Sequence, residues 1–334
     1  MDIEPFSLPL SRPLETASGP IETRRGFVVR TTIDGTDGTG EATPLPGWTE
    51  SLDACERALE SIDDPSSALA TDELADAPAA RHGLSLAVLD AEARAAGRPL
   101  YRHLGGSEHR GRVPVNATVG DGSPEETAAA AVDAVETGYP AVKLKVGARR
   151  PEADLTRIEA VRKRCPDVEL RVDANGAWDV DTAEALLAEF SSLDVAVAEQ
   201  PLPAGNLSGH ARLRGNGVEI ALDEGLVEHG PQAVFSAESA DLLVCKPMAL
   251  GGPDIAREVA ITARNEGVDA LVTTTIDGAI ARAGAVHLAA SLPDLRPCGL
   301  ATGGLLHSDL REDAAPIRGG TAAVPQGKGN IPLG

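Results

Sequence analysis

Lysine is scarce in this chain. Of 30 basic residues only five are lysines, against 51 Asp and Glu, and the net charge is −21 with a pI near 4.7. An acidic chain with no basic cluster excludes nucleic acid as a partner, because a phosphate backbone is gripped through patches of Lys and Arg. Cysteine is sparse too. Cys55, Cys165, Cys245 and Cys298 are scattered with no C-x-x-C pair, which fits neither a disulfide framework nor a zinc site and leaves reduced packing residues. No window approaches ~18 uninterrupted apolar residues, so membrane insertion is not expected. The start, Met1-Asp-Ile-Glu-Pro-Phe, lacks the basic and apolar regions of a secretory signal, which predicts a cytoplasmic protein. The acid excess and the preference for Arg over Lys predict one suited to a salt-rich cytoplasm, where screening tolerates high net charge. Oligomeric state is not fixed by the sequence.

What is present divides into two patterns. Residues 3–8, 26–33 and 38–43 read as strands of an antiparallel meander, with Asp34–Gly40 as the turn between the last two. Residues 49–63, 71–80 and 82–96 have helical spacing, so a small α+β domain over 1–112 opens the chain. From Val113 onward, apolar runs alternate with Ala-rich amphipathic segments. The runs are 114–119, 140–145, 168–173, 194–199, 218–223, 241–246, 268–275 and 296–301. Continuous apolar runs separated by helices indicate parallel strands buried on both faces, and eight such units predict a (β/α)8-type, TIM-like barrel over 113–307, with a doubly wound sheet as the alternative. The Pro- and Gly-rich tail, 308–334, has no such rhythm and is expected to return to the first domain and complete it as a cap.

Three of the five lysines, Lys143, Lys145 and Lys246, fall at the ends of these runs, and Asp173, Glu199 and Asp223 end the runs between them. The positions 145, 173, 199, 223 and 246 lie 28, 26, 24 and 23 residues apart, each the length of one strand-plus-helix unit. In a βα barrel the active site is built at the C-terminal ends of the strands. Three carboxylates converging there repel one another unless a cation neutralises them, and an all-oxygen set with no His or thiolate points to Mg²⁺, with Mn²⁺ as a substitute. Lys143 and Lys145, two apart on a strand, point the same way, with Lys145 nearer the rim and therefore the better base. Lys246 faces the substrate from across the barrel. Arginine stays protonated and cannot serve as a base, which accounts for lysine being kept here. Two lysines flanking a metal suit abstraction of a proton α to a carboxylate of a small-molecule substrate, giving an enediolate.

The ordered motifs Lys143-Leu-Lys145, Val172-Asp-Ala-Asn175, Glu199-Gln-Pro201, Leu222-Asp-Glu224 and Lys246-Pro with Gly251-Gly252 resemble those of the enolase superfamily, in its muconate-lactonising subgroup. The resemblance implies that Asp173, Glu199 and Asp223 bind Mg²⁺, that Asn175 and Glu224 support them, and that Lys145 and Lys246 are the acid/base pair. The mandelate racemase branch would place a His after strand seven, where this chain has Val272-Thr-Thr-Thr-Ile-Asp-Gly278. Dipeptide epimerases carry Asp-x-Asp at the end of strand eight, where this chain has Cys298-Gly-Leu-Ala-Thr-Gly303. Gly40-Glu-Ala-Thr-Pro-Leu-Pro-Gly-Trp-Thr-Glu-Ser51 and the Thr-rich strand seven resemble the o-succinylbenzoate synthases, a lyase group of menaquinone biosynthesis. That resemblance implies dehydration of 2-succinyl-6-hydroxy-2,4-cyclohexadiene-1-carboxylate. It places the succinyl carboxylate near Thr275 and Gly299, and closes the loop 15–25, with Arg24 or Arg25, over the ring. Racemisation of an N-acylamino acid or cycloisomerisation of a muconate on the same site is the alternative.

Overall fold

The computed structural model describes residues 1–14 and 19–332. Three antiparallel strands, β1 (Asp2–Leu14), β2 (Ile21–Ile33) and β3 (Thr36–Ala42), form the first sheet in that order. The β2–β3 turn is shorter than the seven residues expected. Ile33 pairs with Thr36, and Asp34 and Gly35 between them both adopt positive φ, 49° and 79°. This is the two-residue turn whose twist suits a hairpin. Strand β2 begins at Ile21, so Arg24 and Arg25 lie on a strand and not in a loop; residues 15–18 of the expected loop lie outside the described residues.

Helices α1 (Leu52–Glu60), α2 (Pro65–Ala70), α3 (Pro78–Ala95) and α4 (Leu100–His103) follow. The helix expected at 71–80 is displaced. Asp64 caps the Ser66 and Ser67 N–H groups and Pro65 takes the first helical position, so α2 starts and ends earlier. Helix α3 lies directly on β3. A Cβ at Gly40 would come within 2.0 Å of the Gly83 carbonyl, so both elements use glycine to reach this distance.

A short strand, β4 (Arg112–Pro114), leads into the parallel sheet. Its strands are β5 (Asn116–Val119), β6 (Ala141–Lys145), β7 (Glu169–Asp173), β8 (Val195–Glu199), β9 (Glu219–Leu222), β10 (Leu242–Cys245) and β11 (Asp269–Val272). They neighbour one another in sequence order, as expected of repeated βα units. The connecting helices are α5 (Pro124–Thr137), α6 (Pro151–Arg164), α7 (Val180–Ser192), α8 (Leu207–Leu213), α9 (Glu224–Ser236), the pair α10 (Pro247–Leu250) and α11 (Pro253–Asn265), and α12 (Ala279–Ser291). The strands are almost wholly buried, as double-sided cover requires.

The eighth run, 296–301, is not a regular strand. Cys298 bridges Val115 on one side and Gly299 bridges Thr273 on the other, and these two bridges close the curled seven-stranded sheet into a modified barrel. A proline at 297 and the close approach of Gly299 to the Thr273 side chain leave room for single bridges rather than a ladder. The fold is thus α/β, a TIM-like barrel with an N-terminal cap. Every residue of α12 is buried, since it packs between the barrel and the cap, and this explains its run of Ala and Gly. The tail forms β12 (Ile317–Arg318) and β13 (Thr321–Ala323), the latter paired with β4, and then reaches α3, where the Asn330 N–H donates to Asp90 Oδ1 over 2.6 Å. Among the described residues no helix is long and apolar enough to cross a membrane.

Candidate active site

Strand register assembles the site. Lys145 pairs with Asp173, and Asp173 with Glu199, so consecutive strands deliver their last residues to one rim. Asp223 follows β9 and Lys246 follows β10. The three carboxylates are buried, each with a lysine beside it. Lys143 Nζ lies 2.7 Å from Glu199 Oε1 and 2.9 Å from Asp173 Oδ2. Lys145 Nζ donates to Asp173 Oδ2 at 2.7 Å and to Asn175 Oδ1 at 2.8 Å. Asn175 Nδ2 in turn donates to Glu224 Oε1 at 3.0 Å, and Lys246 is paired with Asp223 Oδ2. All eight residues expected as catalytic, metal-ligating or supporting are therefore gathered at one end of the barrel.

The charges are unevenly settled. Burial, with Asp173 next to it, pushes Glu199 up to about 7. Burial likewise raises Asp223 to about 6. Burial works against the charge of Asp173, but Lys143 and Lys145 outweigh it and hold the carboxyl below its usual range. Burial also opposes the Lys143 ammonium, but Asp173 and Glu199 prevail and keep it above its ordinary value. Two of the three acids thus resist ionisation with only lysines as counter-charge. Asp223 Oδ1 and Glu224 Oε2 are buried without a hydrogen-bond partner. Among the described residues no group of three or more His, Cys, Asp and Glu side chains forms a ready metal cage, and the carboxylates are drawn onto the lysines instead. An all-oxygen donor set with an orphaned oxygen and two reluctant acids fits a hard divalent cation, which would supply the missing positive charge.

The two outer lysines differ in surroundings. The Lys145 side chain is 42% exposed, whereas that of Lys246 is 11% exposed. Trp48, from the cap segment after β3, lies over Lys246 with its ring centroid 3.4 Å from Nζ. Sequence reasoning missed this contact, although Trp48 sits within the 40–51 segment singled out for its motif.

The four residues expected to contact substrate make the following contacts within the protein. Arg24 is buried, and its guanidinium donates to the carbonyls of Thr43, Pro44 and Ile276. Arg25 is exposed on the opposite face of β2. The Thr275 hydroxyl donates to Asp277, and the Gly299 carbonyl accepts from the Thr273 hydroxyl at 2.8 Å.

Other residues support the rim. Arg157 of α6, fully buried, donates to the Lys145 carbonyl at 2.9 Å and pairs with Asp154, whose Oδ2 accepts from the Gly147 N–H. The ion pair thereby holds the backbone on both sides of Lys145. Gln200 Oε1 accepts from the Asp223 and Gly225 N–H groups at 3.1 and 3.0 Å, and ties the end of β8 to that of β9. The Glu199-Gln-Pro motif carried that signal, since a polar residue beside a buried acid needs a partner.

Comparison with known proteins agrees with this geometry. The family described as Enolase C-terminal domain-like matches residues 126–330, and the one described as MenC, N-terminal domain, matches residues 3–91. The chain is 30% identical to the L-Ala-D/L-Glu epimerase of Bacillus subtilis, covering 96% of this chain and 92% of the relative. It is 38% identical to the o-succinylbenzoate synthase of Thermobifida fusca over 63% of this chain and 66% of that enzyme. The substrate-liganded B. subtilis epimerase structure superposes with a TM-score of 0.89 at 28% identity, covering 100% of this chain and 98% of that one. A dipeptide epimerase from Methylococcus capsulatus, crystallised with Mg and the dipeptide L-Arg-D-Lys, gives 0.86 at 28% identity, covering 99% and 98%. This chain belongs to the enolase superfamily, and it is an enzyme.

Proposed function

We propose that this enzyme is an o-succinylbenzoate synthase, a lyase that removes water from 2-succinyl-6-hydroxy-2,4-cyclohexadiene-1-carboxylate to give 2-succinylbenzoate. The observation that carries this reading is the asymmetry of the two lysines. Racemisation needs two groups that exchange protons with opposite faces of one carbon. Dehydration needs one base and, opposite it, a fixed positive charge. Lys246 is confined between Asp223 and the Trp48 ring, which supports a role as the fixed positive charge. Lys145 is open to the site and linked to Asn175 and Glu224.

In this mechanism neutral Lys145 takes the proton from C1 of the ring and leaves an enediolate on the carboxyl group. The C6–O bond then breaks, Lys145 returns the proton to the departing hydroxide as water, and the ring becomes aromatic. The Lys246 ammonium stabilises the negative charge from the other face. Asp173, Glu199 and Asp223 would hold Mg²⁺, which when bound supplies charge neutralisation for the substrate carboxylate. The Mg in the structure of the M. capsulatus relative supports that choice.

Purified protein with Mg²⁺ and the cyclohexadiene substrate should yield 2-succinylbenzoate, followed by its aromatic absorbance, and no product at any salt concentration would sink the proposal. Epimerisation is the second reading, favoured by the identity to the B. subtilis epimerase along nearly the whole chain. Against it, Cys298-Gly-Leu-Ala-Thr-Gly303 supplies no carboxylate for a substrate ammonium. Deuterium exchange at Cα of dipeptides or N-succinylamino acids tests it directly.

A further inference from the structure

We infer that Arg24 and Glu41 form a positioning latch that fixes Trp48 over Lys246 by binding the cap loop to the loop entering α12. The inference rests on the proposed reading in one respect, that Lys246 faces the substrate.

Arg24 joins two loops remote in sequence. Its Nη2 and Nη1 donate to the Thr43 and Pro44 carbonyls at 2.8 and 3.1 Å, and its Nε donates to the Ile276 carbonyl at 3.1 Å. Thr43 and Pro44 begin the turn that presents Trp48, since the Trp48 and Thr49 N–H groups donate to the Leu45 carbonyl at 2.9 and 3.0 Å. Ile276 lies between β11 and α12 with φ 64°, a left-handed conformation that a β-branched residue keeps only when its surroundings impose it. The Arg24 bond to its carbonyl is one such constraint.

Glu41 secures the same junction from the neighbouring strand. It is fully buried and accepts from the Thr43 hydroxyl at 2.6 Å, from the N–H of Gly278 just before α12 at 2.6 Å and from the Ala281 N–H of α12 at 2.9 Å. A carboxylate at a helix N-terminus satisfies otherwise unpaired N–H donors and opposes the helix dipole favourably. His82 Nδ1 donates to the Glu41 carbonyl at 2.8 Å and fixes that strand against α3. Neither Arg24 nor Glu41 is bonded to Lys145, Lys246 or the three acids. Arg24 acts through main-chain carbonyls and Glu41 through the Thr43 hydroxyl and main-chain N–H groups, and what these contacts set is the height of the Trp48 ring above the ammonium. Arg24 is thus a positioning residue, not a ligand for the ring of the substrate.

The test uses Trp48 as its own reporter. The chain has two tryptophans, so Trp178→Phe leaves Trp48 alone. In that background Arg24→Lys, whose single ammonium cannot reach all three carbonyls, is expected to shift Trp48 emission to longer wavelength and to raise its quenching by acrylamide. Glu41→Gln is expected to do the same, and decides the matter alone if Arg24→Lys does not fold by circular dichroism. Unchanged emission and quenching in a folded variant overturns the latch. These readouts need no turnover, so they stand apart from the identity of the substrate. With an active substrate, Arg24→Lys should lower kcat on the order of tenfold with little change in KM, as expected when a group is misplaced in the transition state. It should add no further loss to Trp48→Ala; additive losses would mean that Arg24 acts elsewhere and would likewise overturn the proposal.

Discussion

Lys143 Nζ stands 2.7 Å from Glu199 Oε1, and the same ammonium reaches Asp173, so one partly buried cation bridges two of the acids proposed to bind metal. Lys143→Met leaves those carboxylates facing each other. Breaking a buried pair by removing one partner costs about 3–5 kcal/mol, and the loss here should be of that order. If Mg²⁺ binds among Asp173, Glu199 and Asp223, it restores the missing charge, and added Mg²⁺ should raise the melting temperature of the variant more than that of the parent. Equal rises in the two proteins would place the ion elsewhere.

The unequal surroundings of Lys145 and Lys246 separate their roles experimentally. Lys145→Ala is expected to abolish both turnover and exchange of the substrate α-proton with D₂O, with kcat down on the order of 10²–10⁴-fold, while leaving Mg²⁺ binding nearly intact. Lys246→Ala should lower turnover too but retain slow exchange, because Lys145 remains as base. Exchange retained in Lys145→Ala, followed by NMR, would show Lys246 acting as a second base and favour a two-base epimerase over the lyase.

Much of this site could be read from the chain because its residues lie at strand ends one βα unit apart, and parallel register then brings Lys145, Asp173 and Glu199 side by side. The eighth strand was less legible. Its apolar run matches the others, yet Cys298 and Gly299 make only single bridges. Arg24 was expected in a loop and lies on β2, and nothing local shows that its partners are Thr43, Pro44 and Ile276. Trp48 over Lys246 escaped for the same reason, being a contact between domains that no periodicity encodes.

Packing of the cap gives a sharp contrast between two glycines. A Cβ at Gly40 would meet the Gly83 carbonyl at 2.0 Å and the Ala87 nitrogen at 2.8 Å, both main-chain atoms that move only if α3 lifts off the sheet. Gly40→Ala should therefore destabilise by about 1–3 kcal/mol, the usual range for overpacking. Gly304, in the short 3-10 turn Gly303–Leu305 after the eighth segment, has nothing within 4 Å of the point where a Cβ would stand, and Gly304→Ala should stay within about 0.5 kcal/mol of the parent. Urea unfolding measures both, and equal effects would refute the packing argument.

His287 lies in the middle of α12, wholly buried, with Nε2 donating to the Asn330 carbonyl at 2.7 Å and Nδ1 accepting from the Tyr101 N–H at 3.2 Å. Both ring nitrogens are used by the neutral form, and burial lowers the group from its ordinary 6.5 to about 4. In the unfolded chain the imidazole gains its proton near pH 6.5, whereas in the folded protein it does so only near pH 4. The stabilisation is therefore complete above pH 6.5 and is lost progressively as pH falls toward 4, to a total on the order of 3 kcal/mol. Glu41 runs the other way. Burial, with Asp277 nearby, raises it from 4.5 to about 7, so its contribution is greatest below pH 4.5 and fades as pH rises to 7. The two slopes oppose each other between pH 4.5 and 6.5, so a difference between variants is more telling than the raw profile. His287→Gln keeps one donor and one acceptor without a titrating ring. Relative to its own stability at about pH 7, it should lose less than the parent by about pH 4.5 in urea unfolding, and a parallel loss in both proteins would show that His287 does not carry the acid sensitivity.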